Sequence, residues 1–255
     1  MGDPTPLELN DRVTDWVKAA RFIFTGTVER AGSLSPDFVP EGPNVAVVRV
    51  ERVHSSTRAL ARYAGQVATV RSREPGTLPV GKRVVFFANP ILFGETVALD
   101  EVGHIDAPAD FVPIEGLIQR VTQDKNDDEL AARLANAEAV VQGSVVAVAR
   151  PPGASPVPIS EHDPDWWIAR IRVRRWLKGD TPAEVAVRYA HSRDIRWYRS
   201  PKPEPGQEAI WLLHRDGVDV GGVVVALVHP LDARPIDDAE IQRIDRLLHS
   251  GPGPH

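Results

Sequence analysis

The 255-residue chain contains no cysteine. This excludes disulfides, thiolate zinc sites and a cysteine nucleophile together, and it suits a reducing compartment. Nor is there a run of apolar residues long enough to span a bilayer, the longest being Gly221 to Val228. Asp3, Glu8, Asp11 and Asp15 stand where a secretory signal would carry an uninterrupted apolar core. The expectation is a cytoplasmic protein with no membrane association, or a periplasmic or secreted one if a leader has been removed. Neither sign of charge dominates: 30 basic against 35 acidic side chains leave a net charge of −5, which argues against a surface built as a whole for nucleic acid or anionic lipid. A phosphate loop, a G-x-G-x-x-G after a strand, an H-E-x-x-H and a G-x-S-x-G turn are all missing. No enzyme, no catalytic residue and no cofactor is therefore expected.

What is present is a soluble-type composition, 42% apolar and 25% charged, with 23 prolines gathered mainly in loops and termini. The most informative stretch is Trp166 to Tyr189. Trp167, Ala169, Ile171 and Val173 alternate with Ile168, Arg170, Arg172 and Arg174; Gly179-Asp180 interrupts, and Val185, Val187 and Tyr189 resume the period of two. That pattern is a two-stranded unit with an apolar face and a basic one.

The chain also repeats itself. Gly26 in FTGTV corresponds to Gly143 in VQGSV, Val50 to Val173, Gly81 to Gly206 and His104 to His229, and PIEGLIQRV from Pro113 answers PIDDAEIQRI from Pro235. Each half reads as helix, five strands, helix. In the first half these are a helix over 7–20, strands at 22–29, 44–54, 67–71, 84–88 and 96–102, and a helix from Pro113 to Thr122. Asp127 or Asp128 is positioned to cap a separate helix, DDELAARLANA, that opens the second half. The fold class expected is mainly β with flanking helices: two tandem five-stranded antiparallel barrels, residues 1–125 and 126–255.

These residues resemble the bacterial branch of the netrin-like barrels, which share the oligonucleotide/oligosaccharide-binding (OB) type of fold with the tissue inhibitors of metalloproteinases. The resemblance rests on Val141-Gln142-Gly143-Ser144-Val145, on Val173 to Asp180 before Val185-Ala186-Val187, and on Pro205-Gly206-Gln207 before Ile210-Trp211-Leu212-Leu213. In the first half it rests on Phe24 to Val28 and on Val80 to Arg83 before Val84-Val85-Phe86-Phe87. It implies a binding scaffold. Metalloproteinase inhibitors of that family approach their enzyme's zinc with an N-terminal cysteine, which this chain lacks, so that activity does not transfer.

Function is sought where the halves differ. Between Asp165 and Lys202 there are ten basic residues against four acids, with Trp166, Trp176, Tyr189, Trp197 and Tyr198 among them. Arg170, Arg172, Arg174, Trp176, Arg188, Arg196 and Trp197 are the candidate binding residues. The first half has Val47, Arg49 and Glu51 in place of Arg170, Arg172 and Arg174. The leading expectation is a non-enzymatic protein that binds another protein through loops or the groove between repeats. The alternative is single-stranded nucleic acid, whose phosphates need cations and whose bases need flat rings. A third class, a metal-dependent enzyme, would need an ion near His162, in Glu161-His162-Asp163-Pro164-Asp165, or near His229. His104 and His229 are better read as structural hydrogen-bond partners, and no metal site is assigned. The pairs Ser192/His191 and Ser160/His162 are adjacent only in sequence.

Overall fold

The computed structural model describes residues 5–32, 44–73, 76, 78–93, 97–107, 112–153, 162–192, 194, 196–220 and 222–249. The proline-rich loop 33–43, most of its counterpart in 150–164 including Ser160 and Glu161, Thr96 and Arg193 lie outside the described residues. The chain forms two compact units, Met1–Asn126 and Asp127–His255.

In the first unit, helix α1 (Pro6–Ala19) starts at a capping box in which Thr5 accepts from the Glu8 amide and the Glu8 carboxylate accepts from the Thr5 amide, with Pro6 beginning the first turn. Five strands follow: β1 (Phe22–Ala31), β2 (Val45–Ser56), β3 (Val67–Arg71), β4 (Arg83–Phe93) and β5 (Val97–Asp106). They close a barrel in the order β1-β2-β3-β5-β4, in which every pairing is antiparallel except β3 with β5. This is an OB-type ring. Strand β4 runs through Pro90, beyond the Ala88 end read from the sequence. The proline is accommodated because the register with β5 shifts between Pro90 and Leu92, where a missing N–H costs the ladder little.

The second unit repeats the ring with β6 (Ala139–Ala149), β7 (Trp166–Lys178), β8 (Glu184–Ala190), β9 (Glu208–Val220) and β10 (Val223–Leu227). Pairing of β9 with β10 closes it, β8 and β10 are the parallel pair, and the two-residue β11 (Ala233–Arg234) adds to β9. Helix α3 (Asp238–His249) ends the unit.

The repeated glycines have one physical explanation. Gly26 pairs with Val50 and Gly143 with Val173, each beside a register shift in the first strand of its barrel. A Cβ on Gly26 would lie 2.6 Å from Val48 Cγ1 and 2.7 Å from the Arg49 carbonyl; on Gly143 it would lie 2.6 Å from the Arg172 carbonyl. The strand bends there, so close to its neighbour that no side chain fits. Gly81 and Gly206 repeat in the same way, with φ of +83° and +86° and N–H bonds of 2.8 Å to the Val28 and Val145 carbonyls.

Side chains fill both interiors. The first is built on stacked Phe22, Phe24 and Phe86 with Leu99 and with Val48 and Val50 of β2; the second on Trp211, Tyr189, Ile171 and Val187. Trp211 donates its indole N–H to the Gly143 carbonyl at 3.0 Å, meeting the need of a buried polar group for a partner. Outside each barrel, the first and fourth strands carry a second apolar layer. Ile23, Val85 and Phe87 meet Val13 and Val17 of α1, while Val140, Ile210 and Leu212 meet Ile244 of α3.

The sequence expects two helices between these layers, and the structure has one. Helix α2 runs unbroken from Val112 to Asn136, so neither Asp127 nor Asp128 caps a helix. Gln123 to Glu129 has no apolar stripe and resembles a linker, but it contains no glycine or proline to interrupt the hydrogen-bond ladder. Ile118 and Val121 pack in the first unit and Leu130 and Leu134 in the second. Among the described residues no helix is long and apolar enough to cross a membrane.

Candidate functional site

Strand β7 presents its two faces as the alternation requires. Ala169 and Ile171 are fully buried in the barrel with Val173 beside them, and Arg170, Arg172 and Arg174 are exposed on the outer side. A register shift between Gln142/Gly143 makes Arg174 an extra residue on the bulged strand, so Arg174 and Arg175 are exposed in succession. Arg170 lies 3.3 Å from Glu184 of β8 and Arg174 lies 2.6 Å from Glu208 of β9. The acids beside the row thus come from the same barrel. Trp176, partly exposed, donates its indole N–H to Thr181 Oγ1 at 2.9 Å.

The equivalent row in the first barrel is a different surface. Val47 is buried, Arg49 is held by Glu29, and Glu51 accepts from Arg83 at 2.7 Å and from Thr27 at 2.5 Å. The Arg83 hydrogen bond, seconded by that of Thr27, holds the Glu51 carboxyl below its usual range.

Arg188 requires a correction. The alternation places it on the basic exterior opposite Ile168, yet its side chain is 0% exposed. Its guanidinium lies 4.2 Å from the centre of the Trp166 ring, and Trp166 meets Trp197 edge-on at 5.5 Å. Arg196 covers Trp197 at 5.1 Å, and the Trp197 indole N–H donates to the His162 carbonyl at 3.1 Å. The segment after β8 is thereby fastened over the end of the sheet, and Lys202 adds bonds to the Trp197 carbonyl and Ser200 Oγ, both 2.9 Å. Burial pushes the Lys202 amine below its usual value. The seven candidate residues therefore divide: Arg170, Arg172, Arg174 and Trp176 line β7, while Arg188, Arg196 and Trp197 belong to this clamp.

Next to the clamp, Trp167 stacks on His191 at 4.6 Å and donates to Asp165 Oδ2 at 3.2 Å. Among the described residues, Asp165 is the non-glycine residue with positive φ, +44°. His162 approaches Asp194 at 3.0 Å, and Ser192 Oγ accepts from the Asp194 amide. Ser192 and His191 thus serve different partners and form no nucleophile–base pair. Burial, assisted by Asp165 and Glu204, pushes the Tyr189 phenol up to about 12.

The repeat-equivalent histidines make local bonds. His104 Nδ1 meets Glu101 Oε1 at 2.7 Å, and His229 Nδ1 accepts from the Leu231 amide at 3.3 Å. Burial pushes His229 below its usual value. Beside it the sequence conceals a hub: Asp232, fully buried, accepts from the Val228 and His229 amides at 2.9 and 2.8 Å and from Arg133 of α2, with His214 at 3.3 Å. Burial alone would raise the Asp232 carboxyl; the His214, Arg133 and His229 interactions outweigh it and hold it below 3.8. Arg133 and Asp232 are 99 positions apart, so no short motif announces them. Among the described residues no group of three or more His, Asp or Glu is placed to hold a metal ion. No protein family matches the chain, and no curated protein matches it.

Proposed function

We propose that this is a non-enzymatic binding protein that recognises another protein through the second unit, using the outer surface of β7 and the adjoining loops. One observation carries the reading: the barrels share their ring, bend and turns, but the exposed arginine row of β7 has no counterpart in the first. Apolar side chains pack both interiors among the described residues, which favours recognition by outer surfaces. The resemblance to netrin-like barrels supports a binding scaffold, and that relationship is part of the same proposal, as is a cytoplasmic setting suggested by the missing cysteines. The test is cross-linking of the intact protein in its host followed by identification of what is attached. A protein partner lost on reversing Arg170, Arg172 and Arg174 to glutamate is expected. Absence of any protein partner, with measurable turnover of a substrate, would overturn the reading.

Single-stranded nucleic acid remains the second reading, favoured by three exposed arginines on the second strand of an OB-type barrel, where such folds receive oligonucleotides. It predicts retardation of labelled single strands that weakens steeply with salt. Unchanged migration at low salt removes it.

A further inference from the structure

The geometry points to a particular ligand for the β7 face: we propose that it is a docking strip for an extended acidic segment of another polypeptide with a carboxylate on every second residue. This rests on the protein-binding reading above and names the partner's chemistry.

Spacing is the first argument. Arg170 and Arg172 occupy alternate positions of one strand, so their Cα atoms lie roughly 6.6–6.8 Å apart, and Arg174 follows at the bulge. An extended peptide with acids at alternate positions repeats at the same interval, and its carboxylates meet successive guanidiniums in register. A contiguous acidic run places half of its charges on the far side.

Availability is the second. The side chains of Arg170 and Arg174 are 59% and 57% exposed, and those of their partners Glu184 and Glu208 are 38% and 47% exposed. Pairs this open contribute little, because water competes for both charges. A partner's carboxylates replace those of Glu184 and Glu208 at small cost. Arg172, between them, faces Ser144 on β6 and Glu184 on β8.

The third argument separates a peptide from a nucleic acid. Single strands need a succession of free ring faces beside the cations. Here Arg188 lies over the Trp166 ring, Trp166 meets Trp197 edge-on and Trp167 stacks on His191, so these rings are engaged within the protein. Trp176 is tied through its indole to Thr181, and Tyr198 stands on the segment after β8. Among the described residues the face offers a row of charge without a succession of free ring faces, which suits carboxylates on a strand.

The experiment uses the full chain and three fluorescent probes: a peptide alternating glutamate and threonine, a peptide of the same composition with its glutamates contiguous, and an oligothymidylate. Anisotropy at low salt should show the alternating peptide binding about tenfold more tightly than the contiguous one, with affinity falling as salt is added. Arg172→Glu should weaken it about tenfold or more and Arg172→Lys by about two- to threefold, while Arg49→Glu in the first barrel leaves it unchanged. Circular dichroism of each variant checks that these exposed changes leave the fold intact. Equal binding of the two peptides, tighter binding of the oligothymidylate, or insensitivity to Arg172→Glu overturns the proposal. Cross-linking to a protein that contacts other surfaces would refute the strip and leave the protein-binding role standing; no protein partner at all would refute both.

Discussion

The two barrels are nearly the same solution reached with different cores. Phe22, Phe24 and Phe86 stack across the first, whereas Trp211 occupies the second and ties its indole to the bent first strand at Gly143. The glycine at the bend, the valine opposite and the glycine turn before the fourth strand persist because the ring cannot close otherwise. Interior side chains change freely provided that volume and hydrogen bonding are met. The outer face of the second strand obeys neither constraint, and there the copies differ: buried Val47, Arg49 paired with Glu29 and Glu51 paired with Arg83 in one, three exposed arginines, two of them paired with glutamates, in the other. What closes the ring is common to both units, and what distinguishes them is the place to seek recognition.

The most damaging test of this likeness is to fill both bends. Gly26→Val and Gly143→Val should each cost about 3–5 kcal/mol, because the added atoms meet a backbone carbonyl that cannot withdraw. Thermal or denaturant unfolding measures it, and tolerance at one bend only would show that the barrels close differently. Arg188→Ala comes next, at about 2–4 kcal/mol, since it removes a buried cation from beneath Trp166 and loosens the clamp. Quenching of tryptophan fluorescence should become easier in that variant.

Asp232→Asn should destabilise the second unit by about 2–3 kcal/mol, as the buried partner of a partly exposed Arg133. The Asp232 carboxyl is held below 3.8 in the folded protein, so its stabilisation is fully present above that value and is lost as pH falls below it. Acid titrations of wild type and variant should therefore converge as pH falls below 3.8. The first unit has its own case in Glu101, whose burial would raise it but whose His104 and Ser72 bonds keep it below 4.5. Smallest is Arg172→Ala, within about 0.5 kcal/mol for an exposed side chain. The contrast between Arg188 and Arg172 sharpens the division of the candidate residues into clamp and face.

The sequence discloses whatever a strand dictates to its immediate neighbours. The correspondence of Gly26 with Gly143, the alternation of Trp167 to Val173 and the turn at Gly179 are all legible because each answers a local steric or periodic demand, while the bend that the two glycines permit shows only in the structure. The sequence misplaces Arg188 for a physical reason: alternation decides which way a side chain points, but not whether a later segment lies over it. Trp197 supplies that cover from the connection after β8. The Asp232 hub is hidden by sequence distance. The continuity of α2 is hidden because a polar stretch lacks the periodicity by which helices are recognised, although nothing in it forbids one.

That continuity has a consequence for motion. Ordinary helices fray from their ends, where amides lose partners and packing first. In α2 the apolar anchors Ile118 and Val121 lie on one side of the midpoint and Leu130 and Leu134 on the other, and Gln123 to Asn126 between them are exposed. Lys125 donates from its amine to the Lys18 and Ala20 carbonyls, but these four residues belong to neither apolar cluster, so no core holds the turn shut. Deuterium should enter α2 fastest through its middle, reversing the customary profile of a helix, while the turns around Ile118 and Leu134 exchange slowly.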